Sequence, residues 1–211
     1  KPDQNEARRE QFLREGKRLA ALGKHEKITT IYAADQENGF SYIAMELVRG
    51  DDLEEAINSG KKFSLDEVLK IVTSVVEAVS YSHSKGIGHH DVKPDNVKIR
   101  NEGSYVLDFG DRLSVDANCN DSFSIGKLFE KLLNNCDVHK VPSGLEEIVK
   151  KATNLEYSEP YEIGDAIISY RKQINRRRFL RVAGAAGALA GLGYFAKRHL
   201  DYQQSIEKVV N

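Results

Sequence analysis

Apolar residues recur at two different spacings in the first part of the chain, and each spacing predicts one kind of element. Over residues 5–22 they return every three or four positions, which predicts an amphipathic helix that ends at Gly23. Residues 28–34 and 40–47 are rich in Ile, Thr, Tyr and Val and flank a Gln-Glu-Asn-Gly turn at 36–39. This region should therefore contain a helix followed by a β-hairpin.

Helical patterns dominate the rest of the chain up to residue 174. Residues 53–58 predict a short helix, and a longer one begins at Ser64, where Glu67 completes a capping box, and continues to Gly86. Apolar positions cover much of the circumference of the longer helix, so we expect it to be buried. Three further helices are predicted, starting at Asp121 and spanning 142–152 and 163–174.

Composition indicates an ordinary globular protein with one sizeable core. The chain has 211 residues, a formal net charge of −1 and 40% hydrophobic residues. The balanced charge implies no general attraction to nucleic acid, which we do not expect as a partner. Cys119 and Cys136 have neither the spacing of a metal site nor a disulfide framework around them, so we expect free thiols.

One polar segment has the residue types that phosphoryl transfer requires. It reads His-His-Asp-Val-Lys-Pro-Asp-Asn over 89–96, and Asp-Phe-Gly follows at 108–110 after a predicted hairpin. Phosphoryl transfer needs placement and charge neutralisation more than covalent help from the protein. A carboxylate can orient the attacking hydroxyl, a lysine can reach the transferred group, and amide and carboxylate oxygens suit Mg²⁺.

These two motifs resemble those of the protein kinase family, in particular the bacterial or archaeal serine/threonine type. The family signature is H-R-D-L-x-x-x-N followed by D-F-G, and residues 89–96 and 108–110 match it closely. The resemblance covers residue 10 to about residue 174. It implies an α+β, protein kinase-like fold, with a partial small lobe (1–45, a helix plus antiparallel strands) and a mainly helical large lobe (46–174).

The resemblance also implies ATP and Mg²⁺ as cofactors and gives four residues catalytic roles. Asp91 would orient the substrate hydroxyl, and Lys93 would stabilise the transferred phosphoryl group. Asn96 and Asp108 would hold the metal ion. Lys93, Asn96 and Asp108 would thereby also contact the bound nucleotide.

Five other positions are implied to bind or support the nucleotide. Glu15 would pair with the strand lysine that holds the phosphates. Met45 would lie at the back of the adenine pocket, and backbone groups of Glu46 and Val48 would bond the adenine edge. Asp52 would reach the ribose.

The sequence departs from the family pattern after the catalytic loop. Only twelve residues lie between Asp108 and Asp121, and no Ala-Pro-Glu occurs among them. Residues 113–170 contain no arginine, so both partners of a family ion pair are missing together. We expect a large lobe that is not switched by loop phosphorylation and a reduced docking surface for a protein substrate.

Two histidines near this loop, His83 and His89, are expected to be structural, and a third, His90, departs from the family pattern. His83 follows a helical turn, and His89 resembles the packing histidine of the family. His90 occupies the position of the family's arginine, and a neutral imidazole is a poor bidentate clamp for phosphate.

The start of the chain lacks two further family motifs. Neither G-x-G-x-x-G nor V-A-I-K precedes Glu15. Lys1 lies too close to Glu15 to be the strand lysine, so we expect that strand upstream of the given sequence and Lys1 to be a cut end. No N-terminal signal peptide is visible. As given, the chain should bind ATP weakly.

Residues 175–211 do not resemble a kinase lobe. A cluster of arginines is followed by an uncharged stretch, and residues 179–196 would span about 27 Å as a hydrophobic helix. We expect a basic juxtamembrane stretch, a single membrane-spanning helix and a tail, with the lobes on the cytoplasmic side. Gly187 and Gly191 could support a homodimer. The alternatives are an Ala/Gly-rich helix packed on the lobe, an interfacial anchor, or a twin-arginine export signal.

The function that these features favour is a membrane-tethered serine/threonine protein kinase, which transfers the ATP γ-phosphate to a hydroxyl of an unknown protein substrate. Two alternatives remain. His90 and the short segment after Asp108 suit a membrane-bound pseudokinase that acts as a binding scaffold. The reduced docking surface also suits a kinase of small molecules.

Overall fold

The computed structural model describes residues 4–38, 40–100, 103–109 and 120–185, and it describes their side chains except at 4–8, 15 and 177–185. The chain divides into two units, the first ending at Ile167 and the second beginning at Ile168. The described residues form an α+β architecture in which short antiparallel sheets accompany six helices. The division into a small lobe, a large lobe and a tail remains a prediction.

The first region contains helix α1 (Gln4–Ala20) and a two-stranded antiparallel sheet. Strands β1 (Ile31–Glu37) and β2 (Phe40–Met45) pair from Ile31 opposite Met45 to Glu37 opposite Phe40. A Cβ atom added at Gly16 would overlap the Cβ atom of Ala34, so α1 packs closely on β1. The predicted helix and hairpin are confirmed.

A second sheet lies between the region of α1, β1 and β2 and the helices that follow in the chain. Strands β3 (Asp51–Asp52), β4 (Val97–Arg100) and β5 (Gly103–Val106) are antiparallel neighbours in that order. The chain before β1 joins the free side of β5, because the Val106 amide donates to the Lys27 carbonyl (2.9 Å) and the Thr29 amide donates to the Val106 carbonyl (3.2 Å). Predicted residues 28–30 are therefore not part of β1, which begins at Ile31.

The core forms around helix α3 (Leu65–Ser84), which follows the short helix α2 (Leu53–Asn58). Ser64 accepts from the Glu67 amide and the Glu67 carboxylate accepts from the Ser64 amide, so the predicted capping box is present. Ten residues of α3 are buried, as its apolar pattern predicted; they are Val68, Leu69, Ile71, Val72, Ser74, Val75, Val76, Ala78, Val79 and Ser82.

Helices α4 (Asp121–Asn134) and α5 (Ser143–Thr153) pack against each other. A Cβ atom added at Gly126 would lie 2.7 Å from the Cβ of Ala152 and 3.2 Å from its backbone carbonyl carbon, so this glycine permits a close approach of the two helices. Both helices begin close to their predicted positions.

Helix α6 (Pro160–Ala185) is longer than the predicted 163–174. The segment after Ile174 contains Arg, Phe, Leu, Val and Ala and contains no glycine before Gly184. Since none of these residues interrupts a helix, α6 continues through the basic cluster.

The prediction of a membrane location is wrong. Among the described residues, no helix has both the length and the apolar character that crossing a bilayer requires. Residues 186–196 of the expected span, which include Gly187 and Gly191, lie outside the described residues.

Candidate active site

The loop between α3 and β4 brings three of the predicted catalytic residues together. The Asn96 side-chain amide donates to the backbone carbonyl of Asp91 at 2.8 Å and to its carboxylate at 3.0 Å. Lys93 Nζ lies 2.7 Å from the same Asp91 carboxylate oxygen, Oδ2. The side chains of Asp91 and Lys93 remain 47% and 45% exposed, so a substrate can reach both groups.

The local hydrogen bonds fix the charge state of this cluster. The ammonium group of Lys93 lowers the pKa of Asp91, burial opposes this, and the Asn96 amide lowers it further. The Asp91 carboxylate in turn raises the pKa of Lys93. At neutral pH Asp91 is therefore an ionised hydrogen-bond acceptor beside a cation, which suits a hydroxyl nucleophile and an anionic phosphoryl group.

The Asp-Phe-Gly motif follows β5 directly and meets the end of the loop. The Leu107 amide donates to the Asn96 carbonyl at 2.8 Å, which holds the residue before Asp108 against Asn96. Asp108 has a left-handed backbone, with φ of 44°, and its charge contributes to the raised pKa of Lys93. This effect of Asp108 on Lys93 is smaller than that of Asp91, which bonds the ammonium group directly.

The donor set near Asn96 fits a magnesium ion. The Asn96 side chain is buried, and its nitrogen is used in the two bonds to Asp91, so its oxygen is the atom offered to a cation. An amide oxygen and the Asp108 carboxylate are hard oxygen ligands of the kind that Mg²⁺ prefers. The metal-binding roles of Asn96 and Asp108 remain predictions.

A buried carboxylate supports the loop from below. Asp121, the first residue of α4, is fully buried, and its two carboxylate oxygens accept from the His89 and His90 amides, each at 2.7 Å. His83 Nε2 lies 2.9 Å from the Asp121 oxygen that His89 uses. His90 has φ of 62°, in the left-handed region. The Asp121 carboxylate fixes the backbone immediately before Asp91.

His89 connects the loop to the Asp-Phe-Gly segment. Its Nδ1 accepts from the Asp91 amide at 3.3 Å, and its Nε2 lies 3.0 Å from the Leu107 carbonyl, so Nε2 carries the hydrogen. Burial lowers the pKa of His89, which keeps the ring neutral. The ring also contacts Phe109, with the centroids 4.5 Å apart. This packing role agrees with the sequence-based expectation.

The residues predicted to bind the nucleotide differ in their surroundings. Met45 lines a cavity of about 230 Å³ together with Asp108 and Phe109. The Glu46 amide donates to the Thr30 carbonyl at 2.8 Å and is therefore already used within the protein. A hydrogen bond from Glu46 to adenine would have to use the Glu46 carbonyl. Val48 is buried.

Two acidic residues were also predicted to serve the nucleotide, Asp52 and Glu15. No interaction among the described residues places either side chain at the cavity beside Met45. Asp52 pairs with Lys98 across β3 and β4 at 2.7 Å, which gives its carboxylate a partner within the protein. The backbone of Glu15 lies in α1, but its side chain lies outside the described residues. The roles of both residues remain predictions.

Sequence reasoning missed the second ion pair beneath the loop. His83 Nδ1 lies 3.0 Å from a carboxylate oxygen of Glu159, on the side of the ring opposite Asp121. His83 and Glu159 are 76 positions apart. No local pattern marks Glu159, whereas Asp121 begins the segment Asp-Ser-Phe-Ser-Ile-Gly at 121–126, which resembles an Asp-x-x-Ser-x-Gly motif of the family.

The family comparison agrees with this geometry. A family model described as the protein kinase domain matches residues 1–126, which is 126 of the 211 residues. A probable serine/threonine-protein kinase of Streptomyces coelicolor is 36% identical over 104 residues, covering 47% of this chain and 15% of that protein. The serine/threonine-protein kinase pkn3 of Myxococcus xanthus is also 36% identical over 104 residues, covering 47% of this chain and 19% of its own length.

A plant protein is similarly related. The Wee1-like protein kinase of Arabidopsis thaliana is 37% identical over 111 residues, covering 53% of this chain and 22% of that protein. The chain thus spans about a fifth or less of the length of these three relatives. The helices and antiparallel strands described above form a protein kinase-like fold, and the chain belongs to the protein kinase domain family.

Proposed function

We propose that this chain provides the catalytic loop of an ATP-dependent serine/threonine protein kinase. The observation that carries the proposal is the cluster in which Asp91 accepts hydrogen bonds from both Lys93 and Asn96. The names of the Streptomyces and Myxococcus relatives, which are serine/threonine kinases, support the choice of a hydroxyl substrate. The protein substrate itself is not identified by any residue described above.

The residues of the cluster would divide the reaction between them. Asp91 would orient the substrate hydroxyl and accept its proton as the oxygen bonds to the γ-phosphorus and the bond to the ADP oxygen breaks. Lys93 would stabilise the negative charge on the transferred group. Asn96 and Asp108 would hold Mg²⁺, which when bound neutralises the phosphate oxygens.

The nucleotide would enter from the cavity beside Met45. The Glu46 carbonyl and the Val48 backbone would bond the adenine edge. Asp52 would bond the ribose with a carboxylate that also pairs with Lys98. Glu15 would orient a phosphate-binding lysine. We further propose that residues 1–45 belong to the small lobe and 46–174 to the large lobe.

A radiolabelled ATP assay with Mg²⁺ tests the proposal. The wild-type chain, an Asp91→Asn variant and an Asp137→Asn control would be compared, because Asp137 is an exposed aspartate outside the catalytic loop. Label transfer should fall by at least about 10²-fold in the Asp91 variant and should be retained in the control. Equal transfer in all three proteins would contradict the role of Asp91.

A kinase of small molecules is the second candidate. The twelve residues between Asp108 and Asp121 leave little chain for docking a protein substrate. Label recovered in small hydroxyl compounds, with none in protein, would favour this candidate. Retained nucleotide binding with no transfer to either class would instead favour a pseudokinase scaffold.

A further inference from the structure

Three helix ends meet beneath the catalytic loop. His83 lies in the last turn of α3, Asp121 is the first residue of α4, and Glu159 directly precedes α6. The imidazole of His83 bridges the two carboxylates, with Nε2 2.9 Å from Asp121 and Nδ1 3.0 Å from Glu159. We refer to these three residues as the His83 bridge.

The bridge geometry sets the protonation of the ring. An ionised carboxylate can only accept hydrogen bonds, so each ring nitrogen that bonds one must carry a hydrogen. Both nitrogens of His83 lie within hydrogen-bond distance of carboxylate oxygens, so we infer the imidazolium form from this geometry. His89, only six positions later, differs because its Nδ1 accepts from a backbone amide and its ring is neutral.

Helix dipoles favour the same charges. The negative end of the α3 dipole stabilises a cation at His83, whereas the positive ends of α4 and α6 stabilise anions at Asp121 and Glu159. The side chain of His83 is 8% exposed and that of Asp121 is fully buried, so little water screens their attraction. Glu159 is 41% exposed and forms the solvent side of the bridge.

Glu159 is itself held in place by the start of α6. Its backbone amide donates to the Glu162 carboxylate at 2.8 Å, which closes the first turn of the helix. The Glu159 carboxylate therefore reaches His83 from a fixed backbone position. A change at Glu159 would act on Asp121 through the charge and orientation of the imidazole.

We propose that Glu159 is a positioning residue of the catalytic loop, acting through His83 and Asp121. The second carboxylate keeps His83 doubly protonated, the imidazolium holds the Asp121 carboxylate, and Asp121 fixes the His89 and His90 amides before Asp91. The proposal concerns the conformation of the loop, and it rests on the proposed function only where it bears on phosphate transfer.

The wild-type protein provides the first test, without any substitution. Two-bond ¹H–¹⁵N correlation spectra at pH 7 report the protonation of each histidine nitrogen. We expect His83 to show hydrogens on both nitrogens and His89 to show one on Nε2 alone, as an internal comparison. A neutral His83 with a single protonated nitrogen would overturn the proposal.

Variants provide the second test. Glu159→Gln keeps the size of the side chain and removes its charge, and Glu156→Gln is the matched control in the same loop. We expect the Glu159 variant to lose the doubly protonated His83 signal and to exchange the His89 and His90 amides at least about tenfold faster. Glu159→Asp should recover part of both effects.

The measurements separate this proposal from the proposed function. Ring protonation and amide exchange can be followed whether or not the chain transfers phosphate. Unchanged exchange at His89 and His90 in Glu159→Gln would overturn the positioning role, even if Asp91 proved essential for transfer. Absence of transfer, with the expected spectra and exchange, would leave the bridge in place and refute only the catalytic proposal.

Discussion

The catalytic loop and the β1–β2 hairpin are both implied to contact the same nucleotide, but the protein holds them in different ways. Beneath the loop, a fully buried Asp121 accepts from two backbone amides and His83. The hairpin instead exposes large apolar side chains, with Tyr32 68% and Phe40 76% exposed. Buried polar networks specify one conformation, whereas an exposed two-stranded sheet contributes little stability of its own.

Removing the charge of Asp121 should have the largest effect on stability. Asp121→Asn would remove the buried charge that accepts from the His89 and His90 amides and contacts His83, and breaking a buried charged network of this kind costs about 3–5 kcal/mol. Urea unfolding should show this loss as a lower transition midpoint. Asp137→Asn, at an exposed aspartate, is the control. A loss below about 0.5 kcal/mol for Asp121→Asn would mean that the loop and the hairpin do not differ as described.

Filling the close contacts at two helical glycines should have the next largest effect on stability, and the effect should differ between the two regions. Gly126→Ala would place a methyl group against the Ala152 side chain and backbone, and overpacking of this kind costs about 1–3 kcal/mol. Gly16→Ala would bring its methyl group against the Cβ atom of Ala34, which can move only if strand β1 of the two-stranded sheet moves with it. Both substitutions gain about 1 kcal/mol of helix propensity, so the difference depends on how readily the neighbouring element can move. We expect the Gly126 variant to be the less stable of the two in urea unfolding, and the reverse order would contradict the comparison.

The capping box of α3 should make a pH-dependent contribution to the free energy of unfolding. The Ser64 hydroxyl and amide lower the pKa of Glu67. A group with a lowered folded pKa adds stability above its unfolded pKa, near 4.5, and that stability is lost as the pH falls through the lower folded value. Glu67→Gln should therefore remove up to about 1 kcal/mol at pH 7 and progressively less in acid.

Unfolding of this variant and of Glu77→Gln, an exposed control on the same helix, can be compared between pH 7 and pH 3. A difference from wild type that persists undiminished at pH 3 would show that the Glu67 charge is not responsible.

Polar substitutions on the hairpin should have the smallest effect. Tyr32→Ser and Phe40→Ser alter side chains that are mostly in solvent, so each should change the free energy of unfolding by no more than about 0.5 kcal/mol. Thermal unfolding of the two variants tests this. A loss above about 2 kcal/mol would indicate that the hairpin face is covered in the protein, and the contrast with the loop would disappear.

The sequence predicted those features that depend on neighbouring residues. The capping box at Ser64, the buried face of α3 and the hairpin all follow from spacing within one element. The catalytic motif predicted Asp91, Lys93 and Asn96 in one short loop, whereas the hydrogen bonds among their side chains were found only in the structure.

Features that depend on distant partners were harder to predict. The first residues of predicted strand β1 pair with Val106 instead of β2, since strand propensity does not identify the partner strand. Glu159 meets His83 across 76 positions, and a carboxylate before a helix usually indicates only a cap. The last helix was predicted to end at residue 174 because the composition changes there. The backbone of α6 instead remains helical to Ala185.

The two hydrogen bonds of Val106 to Lys27 and Thr29 have a mechanical consequence. They join the segment between α1 and β1 to the strand that ends two residues before Asp108. Any displacement of this segment from β5 would have to break both bonds together. The segment that follows α1 is therefore connected by backbone hydrogen bonds to the strand that leads into Asp108.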